Sequence, residues 1–180
     1  TLLPTGKELN NIEGVDVTMI DNGMPCVVID AKNLNISGYE SIHDLEANLE
    51  LRKTVENLRI RCGYLMNLGD VTEKTVPKMT IISRAKFGGA INTRTFIPHS
   101  CHSSIGVFGA ISIATACLIK GTTAYPIASV PSGETKICSI EHPSGKTQII
   151  AKTQKQQILS TAILRTARKL FDGFVFDEIN

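Results

Sequence analysis

The sequence predicts an α+β fold in which a curved, mostly antiparallel sheet wraps around one buried helix. The first observation is that residues 106–120, GVFGAISIATACLIK, are apolar on nearly every side. A helix without a polar face must be buried all round. The second observation is that strand-like runs with alternating hydrophobicity both precede and follow this segment. We therefore expect a central helix enclosed by strands.

A β-hairpin is predicted near the N-terminus. Residues 15–20 alternate between two faces, as a strand does, and residues 26–31 form a short β-branched run. Asn22-Gly23 lies between them, and Asn-Gly is a strong turn signal. The two runs are therefore expected to pair as neighbouring strands.

Further strands are expected on both sides of the central helix. Residues 79–83 and 90–97 flank a Lys-Phe-Gly-Gly turn at 86–89. After the helix, residues 136–176 contain about four more strand-like runs, judged by alternation and turn residues. These segments complete the predicted sheet.

A peripheral helix is predicted at residues 41–67. Ser41 and Asp44 form a capping-box pattern at its start. Apolar side chains recur at helical intervals along one face, namely Leu45, Leu49, Val55, Leu58, Cys62 and Leu65. The charged residues between them are expected to face water, namely Arg52, Lys53, Glu56 and Arg59.

Composition indicates a single globular domain spanning residues 1–180. Nineteen basic and 17 acidic residues leave a net charge of +2, which gives no argument for nucleic acid or an anionic membrane as a partner. No apolar run approaches the roughly 20 residues that a membrane span needs. Five cysteines without CxxC spacing favour reduced thiols in a cytoplasmic protein. The composition leaves the oligomeric state undecided, and a homo-oligomer is one of the alternatives.

The segment PHSCHSS, residues 98–104, is the strongest candidate for a binding site. It leads into the buried helix, whose first amides near Gly106 and Val107 lack an intrahelical acceptor and lie at the positive end of the helix dipole. A carboxylate is the natural guest there. The polar side chains expected to assist are Ser100, Ser103, Ser104, His99 and His102. In the alternative interpretation, Ser103 or Ser104 only caps the helix.

Other polar segments are weaker candidates. His99, Cys101 and His102 lie too close together in sequence to form one tetrahedral zinc site, and no metal is expected. Cys101 is either an activated thiolate beside histidine or an ordinary loop thiol. The Asn22-Gly23-Met24 turn adds backbone amides, although alone it is a β-turn. By default, residues 141–145 form a hairpin turn and the basic residues 165–169 a solvated face or an ion pair.

Several motifs taken in order resemble one family. They are DNGMP before a β-branched run, NLGDV followed by VPK, RTFIPHSCHSSIGVFGAI, IEHPSGK and LRTARKLFDG. This series is similar to the 4-oxalomesaconate tautomerase and methylaconitate isomerase family, which has the diaminopimelate-epimerase fold. The resemblance runs from about residue 4 to 175. It implies that the predicted sheet and helix form the second of two similar halves, each a sheet wrapped on a central helix.

The resemblance also implies where catalytic residues lie. The family's catalytic cysteine and lysine belong to NCGN-type and GNPLTSK-type motifs of the first half, and neither motif occurs here. In the epimerase branch a second thiol precedes the helix, but Gly106 occupies that place in this chain. The acidic-basic pair of the epimerases falls on Ile97-Pro98. Only Cys101 and His102 are left as catalytic candidates, and the chain alone is expected to be inactive.

The implied reaction is a cofactor-independent 1,3-proton shift on a di- or tricarboxylate such as 4-oxalomesaconate. The substrate-binding residues expected in this chain are Asn22, Gly23, Met24, His99, Ser100, His102, Ser103, Gly106 and Val107. The N-terminal half of the same enzyme is the expected protein partner. An aconitate or methylaconitate isomerase half is one alternative. A non-catalytic domain that binds a carboxylate or a protein partner is the other.

Overall fold

A single mixed sheet dominates the fold. The computed structural model describes residues 1–155, 157–174 and 176, and in these residues nine strands form the sheet, in the order β1-β2-β3-β4-β5-β7-β8-β9 with β6 paired to β5. The strands are β1 Asn10–Ile12, β2 Val15–Asp21, β3 Pro25–Asp30, β4 Lys78–Ser83, β5 Ile91–Ile97, β6 Ser100–Cys101, β7 Thr135–His142, β8 Gly145–Gln154 and β9 Gln157–Ile163. Neighbours are antiparallel except β3–β4 and β5–β7, which are parallel. The predicted α+β class and mostly antiparallel sheet are confirmed.

The predicted central helix is present as α3, Val107–Leu118. It contacts β2 and β3 near one end of the sheet and β7, β8 and β9 at the other, so the sheet curls around it. All nine residues 109–117 are buried, and their small side chains allow strands to approach closely. Phe108 in the first turn is the exception and is 55% exposed. The helix is therefore buried along its body and open at its N-terminus.

The opposite face of the sheet is covered by two helices rather than the predicted single one. These are α1, Ile42–Ala47, and α2, Leu49–Leu65. Ser41 caps α1 as the sequence predicts, because its hydroxyl accepts a hydrogen bond from the Asp44 amide at 3.1 Å. Asn48 then ends α1 and caps α2 by accepting from the Leu51 amide at 3.0 Å. Asparagine therefore divides an apolar pattern that continues through it.

Arg59 does not face water, which corrects the sequence interpretation. Its side chain is fully buried and donates to both carboxylate oxygens of Glu56, at 2.7 and 2.8 Å. It also donates to the carbonyls of Val71, Lys74 and Val76, at 2.9, 3.0 and 2.9 Å. The loop after α2 folds over the polar face of the helix. Arg59 satisfies carbonyls of that loop that would otherwise be buried without a donor.

Two other expectations along the chain are wrong in detail. Leu49 and Leu65, the first and last residues of α2, are 64% and 46% exposed, although both follow the helical apolar spacing. After α3, the described residues form three strands, β7, β8 and β9, rather than about four. The described residues beyond β9 have no regular secondary structure up to residue 176, with residue 175 outside the described part. None of the described helices is long and apolar enough to cross a membrane.

Glu141 holds the turn between β4 and β5 in place. Its carboxylate accepts from the backbone amides of Lys86, Phe87 and Gly89, each at 2.8 Å. A Cβ added at Gly89 would lie 2.7 Å from the Glu141 side chain, so glycine is needed for this approach. Burial alone raises the pKa of Glu141, but the three amide hydrogen bonds outweigh it and lower the pKa below its ordinary value.

This geometry predicts a pH-dependent contribution to stability. Because the folded-state pKa is lowered, the ionised carboxylate stabilises the fold above the unfolded pKa, and that stabilisation is lost as the pH falls through the folded value. We expect Glu141→Gln to lower the urea midpoint clearly at about pH 7 and much less at about pH 3. Glu134→Gln, at an exposed residue, is the matched control. An equal loss at both pH values would contradict the assignment.

Candidate functional site

The start of α3 presents backbone amides without a capping side chain. Gly106 is the N-cap residue, with extended backbone angles of φ −64° and ψ 150°, and no side chain bonds to the first turn. Within the described residues, no hydrogen bond is found from the amides of Val107, Phe108 or Gly109 to another group. Neither Ser103 nor Ser104 caps the helix, so the capping alternative does not describe this geometry. The free donors and the helix dipole together suit a carboxylate.

The turn between β2 and β3 packs along one side of α3, from Phe108 in the first turn to Thr115 in the third. The side-chain amide of Asn22 donates to the Thr115 hydroxyl at 2.9 Å, and the Ser112 hydroxyl donates to the Met24 carbonyl at 2.9 Å. Gly23 has a φ of 91°, and a Cβ there would come within 2.9 Å of the Phe108 ring. The structure thus brings the predicted turn to the helix start. The side-chain amide of Asn22 therefore positions that turn.

The segment 98–104 is a tight hairpin rather than a free loop. Ser100 and Cys101 form β6 and pair with the end of β5. The His102 amide then donates to the Thr95 carbonyl at 2.8 Å. His102 Nδ1 accepts from the Ser104 amide at 3.0 Å, so in the neutral ring the proton is on Nε2. The exposed ring of His102 is therefore a donor beside the helix start.

The turn at residues 142–145 lies against this hairpin, a contact that the sequence reasoning missed. The Ser144 amide donates to the Ser103 carbonyl at 2.9 Å. His142 lies between the hydroxyls of Ser144 and Thr147, each 3.2 Å from a ring nitrogen. Burial lowers the pKa of His142 and favours the neutral imidazole. The signal in the sequence was IEHPSGK, which was interpreted only as a hairpin turn.

Cys101 is placed on the other face of the sheet, in the core beneath α2. It is 6% exposed, and burial raises the pKa of its thiol to about 11 despite the opposing charge of Arg94. Its amide donates to Glu46 at 3.0 Å. The structure therefore places this catalytic candidate away from the start of α3 and keeps its thiol protonated at neutral pH.

Thiol reactivity tests this placement. All five cysteines are free and buried, so we expect a disulfide reagent such as DTNB to react with the native chain slowly at neutral pH. A pKa near 11 for Cys101 predicts a rate about a hundredfold below that of an ordinary thiol. Denaturant should release five equivalents. A fast equivalent in the native protein that disappears in Cys101→Ser would show an activated thiolate instead.

His99 is also separated from the helix start. Its ring nitrogen Nδ1 lies 3.6 Å from the Glu56 carboxylate, on the α2 side of the sheet. The turn at Gly23 reaches the start of α3 at Phe108, while Asn22 and Met24 bond to Thr115 and Ser112 further along the helix. His102, Ser103, Gly106 and Val107 adjoin the helix start in the chain, and the turn with His142 and Ser144 is linked to them through the hydrogen bond from Ser144 to Ser103. Ser100 is exposed at the hairpin between the two faces. Among the described residues, no group of three or more His, Cys, Asp or Glu side chains is arranged to hold a metal ion.

Comparison with known proteins agrees with this architecture. The chain is 51% identical to a (4E)-oxalomesaconate Delta-isomerase of Novosphingobium sp. (strain KA1), over 97% of the chain and 49% of that protein. It is 49% identical to a 4-oxalomesaconate tautomerase of Pseudomonas putida (strain KT2440), over 97% of the chain and 48% of that protein. The chain spans about half the length of these curated relatives.

A solved structure and a family model complete the comparison. The crystal structure of a methylitaconate-delta-isomerase superposes with a TM-score of 0.85 at 20% identity, over 97% of this chain and 51% of that one. At that identity the likeness shows the fold. The crystal structure of a hydroxyproline epimerase from Agrobacterium vitis has a TM-score of 0.54 at 16% identity, over 83% of this chain and 40% of that one. Both structures support the predicted diaminopimelate-epimerase-like fold. The model of the PrpF protein family matches residues 1–178. The chain belongs to the PrpF protein family.

Proposed function

We propose that this chain is the carboxylate-binding half of a cofactor-independent isomerase that moves a proton between carbons of 4-oxalomesaconate. The observation that carries the proposal is the 51% and 49% identity to an oxalomesaconate isomerase and a tautomerase over 97% of the chain. Relatives named for methylitaconate and methylaconitate are 22% and 24% identical. Oxalomesaconate is therefore the substrate that we favour within the family.

The chemistry that we assign to this half is charge stabilisation. Removal of a proton next to a carbonyl leaves negative charge on oxygen, and donors fixed at that oxygen lower the barrier. The amides of Val107, Phe108 and Gly109 are such donors, held by a helix whose body is buried. A substrate carboxylate bound by the same amides would be held in register for proton transfer. His102 and the hydroxyl of Ser103 are exposed beside it.

Proton transfer itself is assigned to the half that this chain does not match. Cys101 is buried and protonated, and His142 has both ring nitrogens within reach of hydroxyl groups. Neither is a free base facing the start of α3. We therefore propose that the general base and acid come from a second polypeptide segment, about as long as this chain, and that the site lies between the two halves.

The described residues after β9 support such a partner. Leu170, Phe171, Phe174 and Phe176 are 85%, 69%, 88% and 86% exposed. Bulky apolar side chains concentrated on a surface in this way mark interaction sites. We propose that this segment packs against the other half of the enzyme. Five buried free thiols suit a reducing compartment, so the cytoplasm is the proposed location.

A chimera tests the function directly. This chain would replace the half of the Pseudomonas putida 4-oxalomesaconate tautomerase that it matches, and the product would be assayed with 4-oxalomesaconate. The proposal predicts isomerisation by the chimera and none by the 180-residue chain alone. A chimera that is folded by circular dichroism, yet inactive with oxalomesaconate and active with methylaconitate, would contradict the substrate assignment.

A further inference from the structure

A concave surface lies on the face of the sheet opposite α3, between α2 and the β5–β6 hairpin. Its volume is about 330 Å³, near the lower end of the range for small-molecule pockets. The residues that line it are Leu49, Arg52, Lys53, Val55, Glu56, Asn57, Phe96, Pro98 and His99. None of them lies at the start of α3, although the sequence had assigned His99 to that site.

The floor of this cavity is apolar. Val55 and Phe96 are each 1% exposed and belong to the core beneath α2. Leu49 at the rim is 64% exposed, although its spacing on the helix predicts burial. Val55 and Phe96 therefore offer a ligand almost no surface, and the apolar side chains that remain open to it are Leu49 and the half-buried Pro98.

The rim carries unbalanced positive charge. Within the described residues, Arg52 and Lys53 form no ion pair with an acidic side chain. Glu56 is the acidic residue that lines the cavity, and its carboxylate is neutralised by Arg59 through two hydrogen bonds of 2.7 and 2.8 Å. The cavity therefore combines cationic side chains with the exposed apolar surface of Leu49 and Pro98.

This combination specifies a ligand class. A carboxylate attached to an apolar ring or chain can bond to the guanidinium of Arg52 and the ammonium of Lys53 while its body packs against Leu49 and Pro98. A small inorganic anion gains only the first contact, and a neutral hydrocarbon only the second. We propose that the cavity beside α2 binds a small amphipathic monocarboxylate. This site is separate from the start of α3, and its existence does not depend on the reaction proposed above.

The test uses benzoate as the probe and the 180-residue chain as the protein. Titration followed by amide chemical shifts should move residues 52–57 and 99 in a saturable manner. Arg52→Ala combined with Lys53→Ala should weaken binding by about tenfold or more. The control replaces Lys7 and Lys152, two exposed lysines outside the cavity, and should leave the affinity unchanged.

Each other outcome would overturn the proposal. Absence of saturable shifts at residues 52–57 would show that the cavity binds no such ligand. Equal affinity for sulfate and benzoate would show an unspecific cationic surface, to which the apolar side chains of the cavity contribute nothing. An equal loss of affinity in the Lys7 and Lys152 control would show that net charge alone is responsible. Benzoate shifts confined to residues 107–109 would assign the binding to the start of α3.

Discussion

Replacing Arg59 with alanine should lower the free energy of unfolding by about 3–5 kcal/mol, because it leaves a buried network without its donor. The guanidinium donates to Glu56 and to four carbonyls of the loop after α2, and its side chain has no exposed surface. Without it, the Glu56 carboxylate loses the cation to which it is bonded, and the loop carbonyls lose their shared donor, with Val71 keeping only the Lys74 amide. Urea denaturation followed by circular dichroism measures the change.

Arg61 provides the control, two residues along the same helix. It pairs with Glu13 at 2.6 Å, but the side chains of Arg61 and Glu13 are 59% and 50% exposed. Arg61→Ala should therefore cost less than about 1 kcal/mol. Similar losses for Arg59→Ala and Arg61→Ala would mean that the loop after α2 is held by other contacts.

A second large effect is expected from Gly106→Asp, with opposite signs for stability and binding. An added Cβ at Gly106 meets nothing within 4 Å, and its φ of −64° suits any residue. The new carboxylate should accept from the free first-turn amides and stabilise the fold by about 0.5–1 kcal/mol. The same carboxylate fills the proposed anion site and repels its guest. We expect citrate, as a tricarboxylate probe, to bind at least about tenfold more weakly.

Gly106→Ala separates the two effects. It adds a methyl group without an acceptor, so it should leave citrate binding within about twofold and slightly destabilise the helix start. Thermal denaturation and isothermal titration calorimetry with citrate give both quantities for each variant. A Gly106→Asp protein that is stabilised but binds citrate as tightly as the wild type would place the anion site elsewhere.

The parts of the fold that could be predicted are those in which one element determines its own environment. Residues 106–120 lack a polar face, so burial of α3 followed from the helix alone. The hairpin of β2 and β3 followed from alternation around Asn22-Gly23. The resemblance to the family implied that the chain is the second of two similar halves, which no local pattern contains and which stays a prediction.

The parts that could not be predicted depend on contacts between distant segments. Arg59 follows the polar spacing of α2, and only the later loop, whose carbonyls it binds, explains its burial. Asn48 interrupts the helix because its side chain competes for a backbone amide, while the apolar spacing continues across it. A periodic pattern describes one helix face and says nothing about a loop that folds over it.

The candidate site was predicted only in part, because it also depends on how distant segments meet. The turn at Gly23 reaches the first turn of α3 as expected, because a Cβ on Gly23 would lie 2.9 Å from the Phe108 ring. His99 and Cys101 were assigned to the same site through sequence proximity. The β5–β6 hairpin instead directs them to the α2 face, since neighbouring positions on a strand point to opposite sides.

Amide chemical shifts during a citrate titration of the 180-residue chain test the central claim most directly. The account predicts that the amides of Val107, Phe108 and Gly109 move most, in a saturable manner, because they are the free donors at the positive end of α3. It also predicts that Gly106→Asp removes these shifts. Saturable citrate binding that leaves residues 107–109 unmoved, and shifts only residues 52–57 beside α2, would contradict it.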